Sequence, residues 1–264
     1  MKAQRSVHRL LSQAFPVVIV AAIAITVWQV VVALGEIEPI LLPSPFQVAN
    51  AVKQHNEALQ RGFFITATTA LTGLTLSVII GGLTAVLFSQ ARLLRSALYP
   101  YAIFLQTVPI VAIAPLLITW SGYQQRTVIL VAMIISLFPI VSNVTEGLTT
   151  LDVNLRDMFR LYGATRWSLL LKLRIPSAVR GLVQGIRISS GLAVIGAIVG
   201  EFFVGNGSSY DGLGTLMTGW QAQQKTAALI AAVLASTLLG VLMFWMVNLL
   251  AATVLSKWLP KNVC

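Results

Sequence analysis

Six stretches of this chain run without a single charged residue, and they leave it few ways to fold. They are Phe15–Leu34, Gly62–Ala91, Ser96–Gln125, Thr127–Thr145, Ile188–Gly200 and Thr226–Ser256. A helix needs about 20 apolar residues to cross a hydrocarbon layer roughly 30 Å thick. Five of the six windows reach or approach that length. The short one does so if it begins near Gly181 and sets Arg187 close to the membrane surface. A large soluble helical bundle would instead place polar residues at every third or fourth position. With 57% apolar and only 10% charged residues, the chain cannot clothe a water-facing surface of ordinary polarity. The expected fold is all-α, a polytopic membrane protein of about six transmembrane helices.

A formal net charge of +10 raises nucleic-acid binding as an alternative. The distribution of the charge argues for topology instead. An even number of spans puts both termini on one side. If that side is the cytoplasm, it holds Lys2, Arg5, Arg9, Arg92, Arg95, Arg156, Arg160, Arg166, Lys172, Arg174, Arg180, Arg187, Lys257 and Lys261, leaving Lys53, Arg61, Arg126 and Lys225 outside. Fourteen against four is a strong positive-inside bias, which orients the bundle. Cys264 is the lone cysteine, and His8 and His55 lie far apart, so neither a disulfide framework nor a Cys- or His-based metal centre is expected. The apolar run after Phe15 is longer than a signal-peptide core and is read as a retained first span.

Along the chain, the spans are expected at about Pro16–Leu34, Phe63–Gln90, Ala97–Trp120, Thr127–Glu146, Gly181–Val204 and Lys225–Lys257. Leu42-Pro43-Ser44-Pro45 forces turn or extended backbone in the first outer loop, and a short amphipathic helix is expected near Gln47–Gln60. Pro100, Pro109 and Pro115 mark kinks or breaks in span three, and Pro139 a kink in span four. Gly205–Gln224 reads as an outer loop, flexible over Gly205–Asp211. The whole of 1–264 reads as one domain with a core at about 63–256.

The segment at about 149–180 interrupts this pattern with charge. Leu155, Met158, Phe159 and Tyr162 still recur at helical spacing there, which describes amphipathic helices outside the bilayer. Gly163 permits a tight turn between two short helices, and Pro176 ends the second or restarts the next. The expected product is a hairpin, apolar on one face and basic at its rim, suited to a groove on another protein.

At this hairpin the chain resembles the permease subunits of binding-protein-dependent ABC importers. Their signature is Glu-Ala-Ala, three residues, Gly, nine residues, then Ile-x-Leu-Pro. Here Gly163, Leu173, Ile175 and Pro176 fall in register with it, while Asp157-Met158-Phe159 replaces the leading triplet, keeping an acid but exchanging two alanines for bulky side chains. Gly163-Ala164-Thr165-Arg166-Trp167 and Leu42-Pro43-Ser44-Pro45 are similar to the nitrate, sulfonate, taurine and bicarbonate branch over roughly residues 40–256. The resemblance implies that Asp157, Met158, Phe159, Gly163, Ala164, Leu173, Ile175 and Pro176 couple to an ATPase dimer. It also implies a second permease copy, a periplasmic or lipid-anchored substrate-binding protein, and a site in the bacterial inner membrane. Vitamin precursors such as pyrimidines or riboflavin join small anions as implied substrates.

No glycine precedes a lysine, so there is no Gly-x-x-x-x-Gly-Lys-Ser/Thr phosphate loop. No nucleophile elbow or His-Glu-x-x-His zinc motif occurs, and no catalytic residue, metal or cofactor is assigned. ATP is expected on the partner. Polar residues at membrane depth are candidates for a pathway. They are Glu201, Gln106, Asn143 and Ser189, although interfacial pairing or an interhelical hydrogen bond would equally account for them. Arg187 is read as an anchor at the inner surface. A free-standing secondary transporter or channel is the alternative function, but it would need membrane-embedded coupling charges.

Overall fold

A computed structural model describes residues 2–90, 92–205 and 210–258, and the expectations that rest on Cys264, Lys261 and residues 206–209 lie outside them. Among the described residues there is no strand. Four helical stretches, Asn56–Gln90, Gln125–Thr149, Arg166–Val204 and Thr226–Thr253, are long and apolar enough to span a membrane, and the shorter apolar Val18–Leu34 and Ile110–Ser121 complete six passages. The polytopic all-α architecture expected from the charge-free windows is therefore the observed one.

The first passage is α1 (Lys2–Leu34). The amphipathic helix after it, α2 (Pro45–Gln54), starts and stops earlier than expected because its start is specified twice. Pro45 presets the first turn, and Ser44 with Gln47 closes a capping box at 3.3 Å and 2.8 Å. Residues 56–60 belong instead to α3 (Asn56–Gln90). The third passage is two helices rather than one, α4 (Arg92–Thr107) and α5 (Ile110–Ser121). Pro109 stands between them in extended backbone (φ −61°, ψ 110°). It lacks an N–H and drives Val108 away from helical angles. In contrast, α6 (Gln125–Thr149) runs unbroken through Pro139, where the Asn143 side chain caps the Pro139 carbonyl at 2.7 Å.

After α7 (Val153–Leu161) and a turn, α8 (Arg166–Leu169), a π-helical turn over Leu170–Arg174 and α9 (Ile175–Val204) follow without interruption. The second arm of the hairpin and span five are thus one continuous helical rod. Pro176 stands in the first turn of α9, as expected of a proline that restarts a helix, but the rod stays continuous because the π turn precedes it and the Ile175 N–H reaches back to Leu170. The expected loop Gly205–Gln224 contains a further helix, α10 (Leu213–Ala222), and α11 (Thr226–Trp258) closes the order.

The core is the trio α3, α6 and α9, with α9 antiparallel to the other two. Small residues set the register. A Cβ on Gly73 would stand 2.7 Å from the Ala132 Cβ, and one on Gly196 would stand 2.7 Å from the Ala132 Cα. Gly81 and Gly185 approach Ile140 in the same manner, at 3.0 Å each. Between those layers three fully buried serines hydrogen-bond across the trio. Ser77 and Ser136 share a 2.7 Å hydrogen bond, and the Ser189 hydroxyl donates to the Ser136 carbonyl at 2.6 Å. Ser77 and Ser136 stand at the centres of the charge-free windows Gly62–Ala91 and Thr127–Thr145, so this triad lies midway along the apolar length of the bundle. Glycine and serine at such contacts are what helix packing in lipid requires, since close approach and hydrogen bonds replace the hydrophobic effect.

Candidate functional site

At one end of the bundle the hairpin projects alone. Asp152 opens α7 by accepting the Asn154 N–H at 2.8 Å, and no residue of α7 is buried. Gly163 takes φ +67°, a left-handed angle that reverses the chain, and the Ala164 N–H returns to the Phe159 carbonyl at 3.0 Å. Thr165 then caps α8 by accepting the Ser168 N–H at 3.2 Å. The consequence is an apolar surface in the wrong place for a lone protein. Leu161 and Tyr162 are 87% and 86% exposed, and Met158, Leu155 and Trp167 are exposed beside them. The eight residues matched to the signature divide accordingly. Asp157, Met158, Phe159, Gly163 and Ala164 build the tip, whereas Leu173 is buried at the root beside Ile175 and Pro176.

That root is tied to the spans. Arg174 donates through Nη1 to the Ser89 carbonyl at the end of α3, at 2.6 Å. Arg95 of α4 reaches Thr149 at the end of α6 at 3.3 Å and lies over the Tyr99 ring at 5.8 Å, while Tyr99 bonds Ser142 at 3.0 Å. The hairpin's root is thus bonded to α3, and α6, from which the hairpin leaves, is bonded to α4.

At the opposite end Glu201 is fully buried. Its carboxylate accepts from the Thr66 hydroxyl at 2.9 Å and 3.0 Å, from the Gly214 N–H at 2.7 Å and from the Tyr210 hydroxyl at 3.1 Å. The Thr66 oxygen in turn accepts the Leu213 N–H at 2.9 Å. Two amides of the first turn of α10 thus point at this cluster, where the helix dipole favours an anion. Gly212 and Gly214 make the approach possible, because a Cβ on either would strike the Glu201 side chain. Tyr210 also bonds Thr69 at 2.7 Å, to which Gln125 of α6 donates at 3.2 Å. Burial first, and the neighbouring carboxylate second, push the Tyr210 phenol far above its usual range, so it remains a hydrogen donor.

The four residues singled out for a pathway do not converge. Glu201 closes this polar cluster; Ser189 lies 12 residues, or about 18 Å, along the same helix in the serine triad. Asn143 spends its amide on its own helix, and Gln106 is exposed just before the break between α4 and α5. Thr66 and the glycines around Leu213 were missed from the sequence, since only folding brings them to Glu201. Near the same end, Lys53, His55, Glu57, Arg61 and Asp211 line a charged cleft of about 460 Å³ at the corner of α2 and α3.

Residues 73–256 match the family of binding-protein-dependent transport system inner membrane components. The chain is 33% identical to the formylaminopyrimidine transport permease protein ThiX of Halalkalibacterium halodurans, over 85% of this chain and 88% of that one. It is 30% identical to the putative aliphatic sulfonates transport permease protein SsuC of Bacillus subtilis, over 90% of this chain and 85% of the relative. Among solved structures it resembles an inward-facing MetNI methionine ABC transporter with a TM-score of 0.61 at 18% identity, covering 78% of this chain and 99% of that chain, a likeness of fold alone.

Proposed function

The chain belongs to the family of inner membrane components of binding-protein-dependent transport systems, and from that premise we propose that it forms the solute pathway of an ATP-driven importer whose hydrolytic motor is a separate polypeptide. The observation that carries this reading is the hairpin. A helix that buries none of its own side chains, ends in exposed Leu161 and Tyr162 and belongs to a hairpin bonded at its root to α3 has the form of a lever seated in another protein. Its occupant is a dimer of ATPase subunits, bound in the cytoplasm and working on two copies of this chain. At the other end a periplasmic or lipid-anchored binding protein delivers the solute. The names of the relatives support a small solute, a sulfonate, bicarbonate or a pyrimidine-like or riboflavin-like vitamin precursor, and the sequence resemblance adds taurine and nitrate. The positive-inside bias supports an inner-membrane protein with both termini in the cytoplasm.

Co-purification tests the reading. An ATPase subunit retained by the native chain and lost on Gly163→Val, which places a β-branched residue at φ +67°, supports it. Solute uptake by vesicles that hold this chain alone overturns it.

A further inference from the structure

Arg187 lies midway along the apolar length of the bundle rather than at its inner end. It stands two residues from Ser189, so it is about 3 Å along α9 from the serine triad at the middle of the bundle. It is also about 18 Å from Ile175, where α9 begins. An arginine side chain spans roughly 7 Å, too short to carry its charge out of a layer about 30 Å thick from that depth. The side chain is only partly covered, and its buried Nε has no hydrogen-bond partner. With Arg180, Gln184 and Gly191 it follows a helical stripe, and a Cβ on Gly191 would meet nothing within 4 Å. A polar stripe open at this depth faces a water-filled cavity or another protein rather than lipid.

No carboxylate of this chain reaches that level. All eight acidic residues are described. Glu201 is about 21 Å farther along α9 and is fully engaged. Glu146 neighbours Gly147, which meets Ala178, roughly 13 Å away in the other direction. The other six, Glu36, Glu38, Glu57, Asp152, Asp157 and Asp211, lie in loops, in the first turn of α3 or on α7 outside the bilayer. A second copy related by an axis along the membrane normal repeats these levels and brings no counter-charge either.

We propose that Arg187 is an anion-binding residue of the translocation pathway and that the solute carried bears a negatively charged oxyanion group of the sulfonate, carboxylate or phosphate type. The assignment rests on the importer reading above and narrows its substrate class. Guanidinium suits the role because it stays ionised when buried and presents paired donors to two oxygens of such a group.

The test uses the importer complex, full-length chain with its ATPase, in lipid nanodiscs. Cys264→Ser removes the lone cysteine, and Gly191→Cys places a thiol one turn from Arg187. Labelling rates are compared for the anionic (2-sulfonatoethyl) and cationic (2-trimethylammonioethyl) methanethiosulfonates. The preference for the anionic reagent should fall at least about tenfold on Arg187→Gln and persist in Arg187→Lys, because the charge stands about 6 Å away. Methanesulfonate should slow labelling, whereas its neutral isostere dimethyl sulfone should not. A thiol at 191 that resists both reagents while Gln221→Cys reacts overturns the proposal, since the stripe is then dry. A rate ratio unchanged by Arg187→Gln, or equal protection by the two sulfur compounds, overturns it as well. A complex that never retains an ATPase defeats the importer reading instead and leaves the labelling of the isolated chain to decide on Arg187.

Discussion

Thr66 on α3 and Glu201 on α9, 135 residues apart, are joined through both carboxylate oxygens at 2.9 Å and 3.0 Å, and the same threonine oxygen accepts the Leu213 N–H of α10. One hydroxyl therefore bridges two spanning helices and the start of a third element. Because all partners are buried, removing any of them strands another polar group without water.

Thr66→Val keeps the shape of the side chain and removes both the donor to Glu201 and the acceptor for Leu213. The expected loss is about 1–3 kcal/mol, read as a lower thermal midpoint of the detergent-solubilised chain. Glu201→Gln should cost a similar amount, and the double variant should cost less than the sum, because the two act in one network. Additive losses would show that the contact carries no coupling.

Gly214→Ala and Gly191→Ala form a matched pair on space. The added methyl at 214 meets the Ile198 carbonyl at 2.6 Å and the Glu201 Cβ at 2.7 Å, whereas at 191 it meets nothing within 4 Å. Overpacking of this kind costs typically about 1–3 kcal/mol. Thermal unfolding should therefore separate the two variants, with Gly191→Ala at or above the native midpoint, since alanine favours helix over glycine.

Met158→Asp and Leu161→Asp should leave the folded chain intact, as neither side chain is buried in it. Each should weaken ATPase retention by about tenfold or more, the loss of one buried apolar side chain being worth about 1.5–3 kcal/mol. The measurement is the affinity of the ATPase subunit for the nanodisc-held chain. A variant that misinserts would betray itself by a lowered thermal midpoint, which is not expected.

Topology can be read by fusions. A fluorescent protein joined after residue 264 should glow and alkaline phosphatase at the same place should be inactive, while phosphatase inserted after Gln221 in α10 should be active. The reverse pattern would invert the charge-based orientation.

Much of this was legible in the sequence for local reasons. Charge-free length predicts the six passages, and Gly163 predicts the reversal that its φ of +67° provides. The amphipathic pattern near Gln47–Gln60 predicts a helix that begins and ends later than α2, whose start is set by the capping pair Ser44 and Gln47. Pro109 divides span three fully because backbone and donor are both affected at one point; Pro176 does not divide α9, because the π turn before it absorbs the misfit. Composition alone does not distinguish those two prolines. Nor did the Gly- and Ser-rich linker betray α10, whose N-terminus is completed by Thr66 and Glu201 from two other helices.

By itself, the sequence determined that the chain is a six-pass helical membrane protein with an apolar hairpin at one end, since hydrophobic length, charge placement and turn chemistry act over a few residues at a time. Only the tertiary structure decided depth and partnership. Arg187 comes to stand beside the serine triad, midway along the bundle, because glycine and serine contacts with α6 set the height of α9. Glu201 becomes the cap of another helix because folding carries Thr66 and Gly214 to it. Height and partnership are properties of helices packed against one another, and no single segment contains them.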